Sequence, residues 1–179
     1  KIRLTLEELD RDSFEKAVDA IVSARKLYII GVRSCAAMAT FMSFYFNLIF
    51  DNVVKVSATT ASEVFESLLR VGEGDVVIGV SFPRYSSRTV QAMNFARSRG
   101  ATTIAITDSE VSPLSPISTY TLKARSDMAS FVDSLVAPLS LINALLVAVS
   151  RKKNDDLANT FEDLEKIWEE YGVYEKVQE

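Results

Sequence analysis

The sequence predicts an α/β fold in which a mostly parallel β-sheet is covered by helices on both faces. Short β-branched apolar runs alternate along the chain with longer segments whose apolar residues repeat about every 3.6 positions, a pattern typical of βαβ units. The 179 residues are 48% apolar and 25% charged, a balance that supports one well-packed core. We therefore expect a single domain over residues 1–179.

The elements are predicted in order from the N-terminus. Apolar spacing indicates an amphipathic helix over Leu6–Ala24. The apolar run Leu27–Val32 predicts a buried strand, and an Ala-, Met- and Phe-rich stretch predicts a helix that reaches Phe50. The alternation continues with strands Val53–Val56, Asp75–Val80, Thr102–Ile106 and Thr119–Leu122, and with helices Ala61–Leu69 and Ser87–Arg99.

The C-terminal third predicts two further helices. The run Phe131–Val149 is nearly all apolar but contains Asp133 and Pro138, and a membrane span is the alternative interpretation. An Asp at that depth is costly in lipid, so a buried or subunit-interface helix is favoured. A last amphipathic helix is indicated by the spacing of Leu157, Phe161, Leu164, Trp168 and Tyr171.

Charge and residue usage exclude several classes of function. Twenty Lys and Arg against 24 Asp and Glu give a net charge of −4, the wrong sign for gripping nucleic acid through its phosphates. The chain has no His, the commonest general base and metal ligand at neutral pH. Its single cysteine, Cys35, forms no internal disulfide, so the cytoplasm is the expected compartment.

The densest group of hydroxyl side chains follows the third predicted strand, in the segment Ser81–Thr89. Backbone N–H groups and hydroxyls at the start of a helix suit a phosphate, and Arg84 or Arg88 adds charge-assisted hydrogen bonds. The alternative is that Ser86 or Ser87 only caps the helix, a common role for serine.

The first predicted strand ends in a similar way, which favours ligand binding over capping alone. Gly31, Arg33 and Ser34 form a second junction of apolar strand, hydroxyl and helix, and two such loops can face one ligand. Cys35 is either a reactive thiol at a helix start or a small buried residue under the loop. Glu63, at the start of a helix, is either a base or ligand acceptor, or a favourable first-turn carboxylate.

Known cofactor motifs are missing from these junctions. A dinucleotide fingerprint needs further glycines after Gly31, but the next residues are VRSCAAM. The sequence contains no Walker A loop and no Cys/His set for zinc. We therefore expect neither a cofactor nor a metal ion.

Three segments in order resemble a known family. IIGVRS (Ile29–Ser34), VIGVSFPRYSSRT (Val77–Thr89) and GATTIAITDSEVSPLS (Gly100–Ser115) together resemble the SIS, or sugar isomerase, domain. More narrowly, the sequences EELD, ITDS and SPL are similar to the C-terminal effector-binding domain of RpiR-type transcriptional regulators. The resemblance extends from Leu6 to about Arg151.

The resemblance implies a three-layer α/β/α sandwich with a five-stranded parallel sheet, of the flavodoxin-like or Rossmann-like type. It also implies a homodimer or higher homo-oligomer that binds a phosphorylated sugar or sugar acid at the strand ends. Ser34, Ser81 and Thr89 match the family's phosphate-binding positions, with Ser86 and Ser87 at the Ser-Gly positions of its loop. The stretch between Ser81 and Ser86 is longer than in the family pattern. The candidate ligand-binding residues are therefore Arg33, Ser34, Glu63, Ser81, Arg84, Ser86, Ser87 and Thr89.

The function implied by the resemblance is a non-catalytic effector domain of an RpiR-type regulator of carbohydrate metabolism. DNA would be bound only by an N-terminal helix-turn-helix domain, which this sequence does not show, and no membrane association is expected. Two alternatives stay open. One is a sugar-phosphate aldose–ketose isomerase with Glu63 as its base, and the other is a structural dimerisation module that has lost its ligand.

Overall fold

A computed structural model describes residues 7–126, 132 and 134–175 of the chain. Its centre is a five-stranded sheet with strand order β2-β1-β3-β4-β5, in which every pair is parallel. The predicted α/β fold with a five-stranded parallel sheet is confirmed. The strands are β1 Leu27–Gly31, β2 Val53–Lys55, β3 Val76–Val80, β4 Thr102–Thr107 and β5 Tyr120–Lys123.

Helices cover both faces of this sheet and complete the three layers. The helices are α1 Arg11–Val22, α2 Ser34–Ile49, α3 Ala61–Ser67, α4 Ser87–Ser98, α5 Val136–Lys152 and α6 Asn154–Glu170. Helices α1, α2 and α5 pack over one face, and α3 and α4 pack over the other. Helix α6 follows α5 directly and packs beside it.

The central strands are buried on both faces, which explains why their sequences are almost continuously apolar. In β1, Leu27 and Ile29 join the core under α1, α2 and α5, while Tyr28 and Ile30 join the core under α3 and α4. Full burial of each aliphatic side chain stabilises the fold by about 1.5–3 kcal/mol. Because successive side chains of a strand enter opposite cores, each strand packs against both layers of helices.

Two helices begin later than the apolar spacing predicts. Helix α1 starts at Arg11, because Asp10 caps it and accepts a hydrogen bond from the Asp12 N–H at 3.1 Å; the predicted start, Leu6, lies outside the described residues. Helix α5 starts at Val136, and Phe131 and Asp133 also lie outside the described residues.

Pro138 lies in the first turn of α5, where a missing N–H breaks no intrahelical bond. The helix buries one face, which includes Leu141, Ile142 and Leu145, against α1 and α2. In the described part of the chain, no helix is both long and apolar enough to cross a membrane. The apolar run is thus accounted for by core packing over most of its length.

Candidate functional site

A cavity of about 250 Å³ lies at the carboxyl ends of β1 and β3, between the loops that enter α2 and α4. From β1 the chain adds β2 on one side of the sheet and then β3 on the other, so the strand order changes direction between β1 and β3. Open parallel sheets bind ligands at such switch points. Five polar residues line the cavity: Arg33, Ser34, Ser81, Arg84 and Ser86. Among the described residues no acidic side chain lines it. Hydroxyls and guanidinium groups without a carboxylate suit an anion.

The first wall of the cavity depends on a close approach between β1 and α2. A Cβ atom on Gly31 would lie 2.4 Å from the carbonyl oxygen of Cys35, so only glycine fits at the end of β1. This approach places Ser34, the first residue of α2, at the cavity. Cys35 is buried and also lines the cavity, as expected if it packs under the loop.

The second wall is a loop closed by its own serines. Ser81 is buried, and its Oγ accepts a hydrogen bond from the Ser86 N–H at 3.0 Å. Ser86 in turn is the N-cap of α4, and its Oγ accepts from the Thr89 N–H at 3.4 Å. Capping and a position on the cavity therefore occur together at Ser86. The hydroxyl of Thr89 is buried without a hydrogen-bond partner among the described residues.

Two arginines flank the cavity in strained backbone conformations. Arg33 has φ 59° and ψ −124°, and Arg84 has φ 68°. Within the described ranges, they are the non-glycine residues with positive φ. Each such conformation costs about 1–3 kcal/mol, and strain of this kind clusters at ligand sites. Both guanidinium-bearing residues are thus held at the same cavity at the expense of stability.

Tyr85 ties the β3–α4 loop to the end of β4. Its hydroxyl donates a hydrogen bond of 2.8 Å to Asp108 Oδ1. The pKa of Tyr85 is raised above the ordinary value for tyrosine. Partial burial is the largest cause, and the hydrogen bond to Asp108 and the negative charge of Asp108 add to it. Tyr85 is therefore protonated near neutral pH and acts as a donor that fixes the loop next to Arg84.

Replacing Tyr85 with Phe is expected to release this tether. Loss of one hydrogen bond should lower the free energy of unfolding by about 1 kcal/mol. The loop that carries Arg84 would then sample more conformations, so anion affinity should fall several-fold. Thermal melting and calorimetry measure the two effects. Tyr171→Phe, which alters an exposed tyrosine after α6, is the control; equal effects in both variants would refute the tether.

Glu63 lies in a capping box rather than on the cavity wall. Its carboxylate accepts from the Thr60 N–H, while Thr60 Oγ1 accepts from the Glu63 N–H, and Ser57 Oγ donates to the same carboxylate at 2.9 Å. The hydrogen bond from Ser57, and then the one from Thr60, hold the pKa of Glu63 below 4.5. The first-turn alternative is thus realised in the structure, and ligand contact by Glu63 stays a prediction.

The lowered pKa predicts a pH-dependent role for Glu63 in stability. The stabilisation is present above the unfolded-state pKa of the carboxyl and is lost as the pH falls through its lower folded-state pKa. Glu63→Gln should therefore melt below the wild type at about pH 7, with the gap closing toward about pH 3. Melting curves across this range check it. Glu66→Gln on the same helix is the control, and a gap independent of pH would contradict the prediction.

The Arg88 side chain forms hydrogen bonds with the backbone of a neighbouring loop. Its Nη1 donates to the carbonyl oxygens of Ala58 and Thr59 at 2.8 and 2.9 Å. This contact links the first turn of α4 to the β2–α3 loop. Arg88 thus holds two loops together in this structure, and its suggested contact with an anion stays a prediction.

The structure brings five of the eight candidate residues to one cavity. Ser87 and Thr89 lie in the first turn of α4 away from the lining, so their contact with a ligand stays a prediction. Sequence reasoning missed Phe82 and Pro83 as lining residues, and it missed the Tyr85–Asp108 contact. The position of ITDS at the end of β4 was a usable signal for Asp108, since strand ends meet at one edge of the sheet.

A larger hollow of about 570 Å³ beside α6 differs in its charge. Among the described residues that line it, four are glutamates, Glu162, Glu165, Glu169 and Glu175, and one is basic, Lys166. These carboxylates repel an anion. The lining residues come from α6 and the segment after it and not from the strand ends. Within the described ranges, no group of three His, Cys, Asp or Glu side chains is placed to hold a metal ion.

The sequence matches a known domain family and two curated transcriptional regulators. The SIS domain model matches residues 20–148. The chain is 27% identical over 167 residues to an HTH-type transcriptional regulator of Caldanaerobacter subterraneus subsp. tengcongensis, covering 91% of this chain and 58% of the relative. It is 28% identical over 151 residues to an HTH-type transcriptional regulator of Haemophilus influenzae, covering 80% and 51%. The chain spans about half the length of these curated relatives.

Solved structures show the same fold. The sugar isomerase domain of an RpiR transcription factor from Sphaerobacter thermophilus superposes with a TM-score of 0.82 at 27% identity, and 92% of each chain is covered. The NanR protein of Vibrio vulnificus, solved as a complex with ManNAc-6P, superposes with a TM-score of 0.79 at 20% identity. That alignment covers 93% of this chain and 65% of NanR.

Proposed function

The chain belongs to the SIS domain family, and from this premise we propose that it is a cytoplasmic, non-catalytic sensor domain for a phosphorylated sugar within an RpiR-type transcriptional regulator. The observation that carries the proposal is the cavity at the β1/β3 switch point. Ser34, Ser81 and Ser86 offer hydroxyls there, and Arg33 and Arg84 supply positive charge. A phosphate monoester matches these donors, because it carries nearly two negative charges and strong acceptor oxygens.

Calorimetric titration tests the proposal directly. A panel of phosphosugars is compared with the same sugars lacking phosphate. At least one phosphosugar should bind with a Kd below about 1 mM, and its unphosphorylated form should not. If no phosphorylated compound binds at that level, the sensor function is refuted and the alternative of a structural dimerisation module takes its place.

The regulatory part of the proposal rests on the relatives. Both relatives named above are HTH-type transcriptional regulators that extend beyond the matched region. We infer that this chain supplies the effector site of such a protein and that a separate N-terminal domain contacts DNA. Coupling requires the ligand to bind two arrangements of the protein with different affinity. A mobility-shift assay on the full-length gene product, with and without the bound phosphosugar, should show a change in DNA affinity; none would contradict regulation.

An isomerase is the second candidate, because several structural neighbours are named as isomerases, such as a protein of Methanococcus jannaschii with a TM-score of 0.67 and 13% identity. Proton transfer between adjacent carbons needs a base whose pKa is close to the working pH. The chain has no His, and the pKa of Glu63 is lowered rather than raised. We therefore propose no catalysis. Turnover of a phosphosugar that is lost in Glu63→Gln would reverse this assignment.

A homodimer is proposed on the exposed apolar surface formed by α2, α5 and α6. A groove of about 610 Å³ runs between these helices and is lined by Tyr45, Leu146, Val147, Phe161 and Trp168. The Tyr45 and Val147 side chains are 42% and 52% exposed. Exposed apolar patches on a protein surface mark sites of contact with other proteins. A second copy of the chain is the partner that the resemblance implies.

Val147→Asp is expected to convert the dimer to a monomer. The aspartate would place a carboxylate in a groove that the second copy buries, and the cost of its desolvation opposes association even with Arg151 one helical turn away, while the exposed position leaves the core intact. Light scattering after size exclusion measures the mass. Val111→Asp, which is 89% exposed in the segment after β4, serves as the control and should stay dimeric. A wild-type protein that is monomeric, or a Val147→Asp protein that stays dimeric, would contradict this interface.

A further inference from the structure

Tyr85 joins the β3–α4 loop of the cavity to the segment that follows β4. Its hydroxyl donates to Asp108 Oδ1 at 2.8 Å, and the residue before it, Arg84, lines the cavity. The Asp108 carboxylate also accepts hydrogen bonds from the hydroxyls of Thr107 and Ser109, each at 3.3 Å. A change in the position of Tyr85 therefore acts on the segment after β4.

This segment is joined in turn to the end of β5. Glu110 forms an ion pair of 3.1 Å with Lys123, the last residue of β5. One residue further along, the Ala124 N–H donates to the carbonyl oxygen of Thr107 at 2.8 Å. A side-chain contact and a backbone contact thus link β4 and β5 where the two strands end.

The end of β5 contacts the start of α1. The Arg125 guanidinium donates two hydrogen bonds to the Glu8 carboxylate, one of them from Nε at 3.0 Å. The hydrogen bond from Arg125 lowers the pKa of Glu8, and the charge of Lys123 acts in the same direction. The pKa of Asp10, the N-cap of α1, is lowered mainly by the hydrogen bond from Ser13, and the charge of Lys123 adds to it. Two basic side chains after β5 thus stabilise the carboxylates at which α1 begins.

The contacts at the surface can change without unfolding the protein. The side chains of Arg125 and Glu8 are each 44% exposed, and that of Glu110 is 66% exposed. Exposed ion pairs contribute little to stability, so a small change in free energy at the cavity is sufficient to shift them. Arg84 has a strained positive φ directly before Tyr85. A ligand that binds the Arg84 guanidinium therefore acts on the backbone that positions Tyr85.

We propose that these contacts form a polar network that transmits ligand binding from the cavity to the start of α1. The network consists of Tyr85, Asp108, Glu110, Lys123, Arg125 and Glu8. The inference rests on the proposed sensor function and specifies its regulation, because an effector domain that controls an N-terminal DNA-binding domain must transmit its bound state toward its own N-terminus. Transmission requires the free and bound states to differ in these contacts. A phosphate held by Arg84 orders the β3–α4 loop, and the polar network then tightens the first turn of α1.

Hydrogen exchange measures this coupling at a distance from the ligand. Amide exchange of residues 9–16 is followed by mass spectrometry with inorganic phosphate and glucose 6-phosphate as probes, each at a concentration that calorimetry shows to be saturating. Potassium chloride at equal ionic strength is the blank. A bound probe should slow exchange in this segment about fivefold or more, the lower end of ordinary coupling between sites. Residues 157–170 of α6 should not respond.

Variants at the end of β5 assign the response to the polar network. The double variant Lys123→Gln/Arg125→Gln should lose the response of residues 9–16 and bind the probe within about twofold of the wild type, since neither side chain lines the cavity. The single variant Arg125→Lys keeps the charge and should keep the response. Lys152→Gln/Lys166→Gln removes two lysines from other ion pairs and should respond like the wild type.

The response to the probe, and not the basal exchange rate, is compared between variants, because a merely structural role of the ion pairs would change only the basal rate. If a probe binds the wild type but leaves exchange of residues 9–16 unchanged or faster, or if the double variant keeps the response, the polar network is refuted and the sensor function stands. If neither these probes nor any phosphosugar of the calorimetric panel binds, the sensor function fails and this inference fails with it.

Discussion

Replacing Gly31 with Ala is expected to lower the free energy of unfolding by about 3 kcal/mol, since overpacking in a core costs this order. The added Cβ would lie 2.4 Å from the Cys35 carbonyl oxygen and 2.9 Å from its carbonyl carbon. Both contacts are with backbone, so no side chain can rotate away. Helix α2 must shift from β1, and Ser34 moves with it.

Denaturant unfolding measures this loss, and calorimetry measures the accompanying loss of anion affinity. Gly72→Ala is the matched control, because its new Cβ would be 3.7 Å from the nearest atom, an ordinary contact. The control should change stability by less than about 0.5 kcal/mol. Equal unfolding midpoints for wild type and Gly31→Ala would show that the close approach of β1 and α2 is not present in solution.

Removing Arg33 and Arg84 together is expected to reduce phosphosugar affinity by about 100-fold or more, since a hydrogen bond to a charged group contributes about 1.5–3 kcal/mol. Both arginines line the phosphate cavity, and among the described residues no carboxylate lines it to oppose them. The double alanine variant is titrated beside each single variant, and each single variant should lose about tenfold. Arg70→Ala, which precedes β3 at the other end of the sheet, controls for net charge.

Glycine variants separate binding from folding at these two positions. Because Arg33 and Arg84 have positive φ, Arg33→Gly and Arg84→Gly relieve backbone strain while removing the guanidinium. They should therefore melt at or above the temperature of the matching alanine variants and bind phosphosugar as weakly. Glycine variants that bind like the wild type would exclude the arginines from the site.

The fold was predictable because local pattern and tertiary burial agree. In β1 and β3 both faces are buried, so runs such as LYIIG and VVIGV mark central parallel strands without further context. The start of α1 was not predicted, because the apolar spacing continues upstream of Asp10 while the cap ends the helix there. Capping by Asp10 is a hydrogen-bonding feature that periodicity does not report.

The site was predictable in part, for a topological reason. Ser34 and Ser81 each follow a central strand, and the carboxyl ends of neighbouring parallel strands meet at one edge, so their approach follows from the sequence. The positive φ of Arg33 and Arg84 does not, since arginine has no preference for that conformation and tertiary contacts impose it.

A crystal structure of the protein with the tightest phosphosugar from the calorimetric panel would show whether the proposed cavity holds the ligand. We expect the phosphate in the cavity between the β1–α2 and β3–α4 loops, within hydrogen-bond distance of Ser34 and the Ser81–Ser86 loop. The guanidinium groups of Arg33 and Arg84 should contact its oxygens. A ligand bound elsewhere, such as along α6, or a phosphate that points away from these serines, would contradict it.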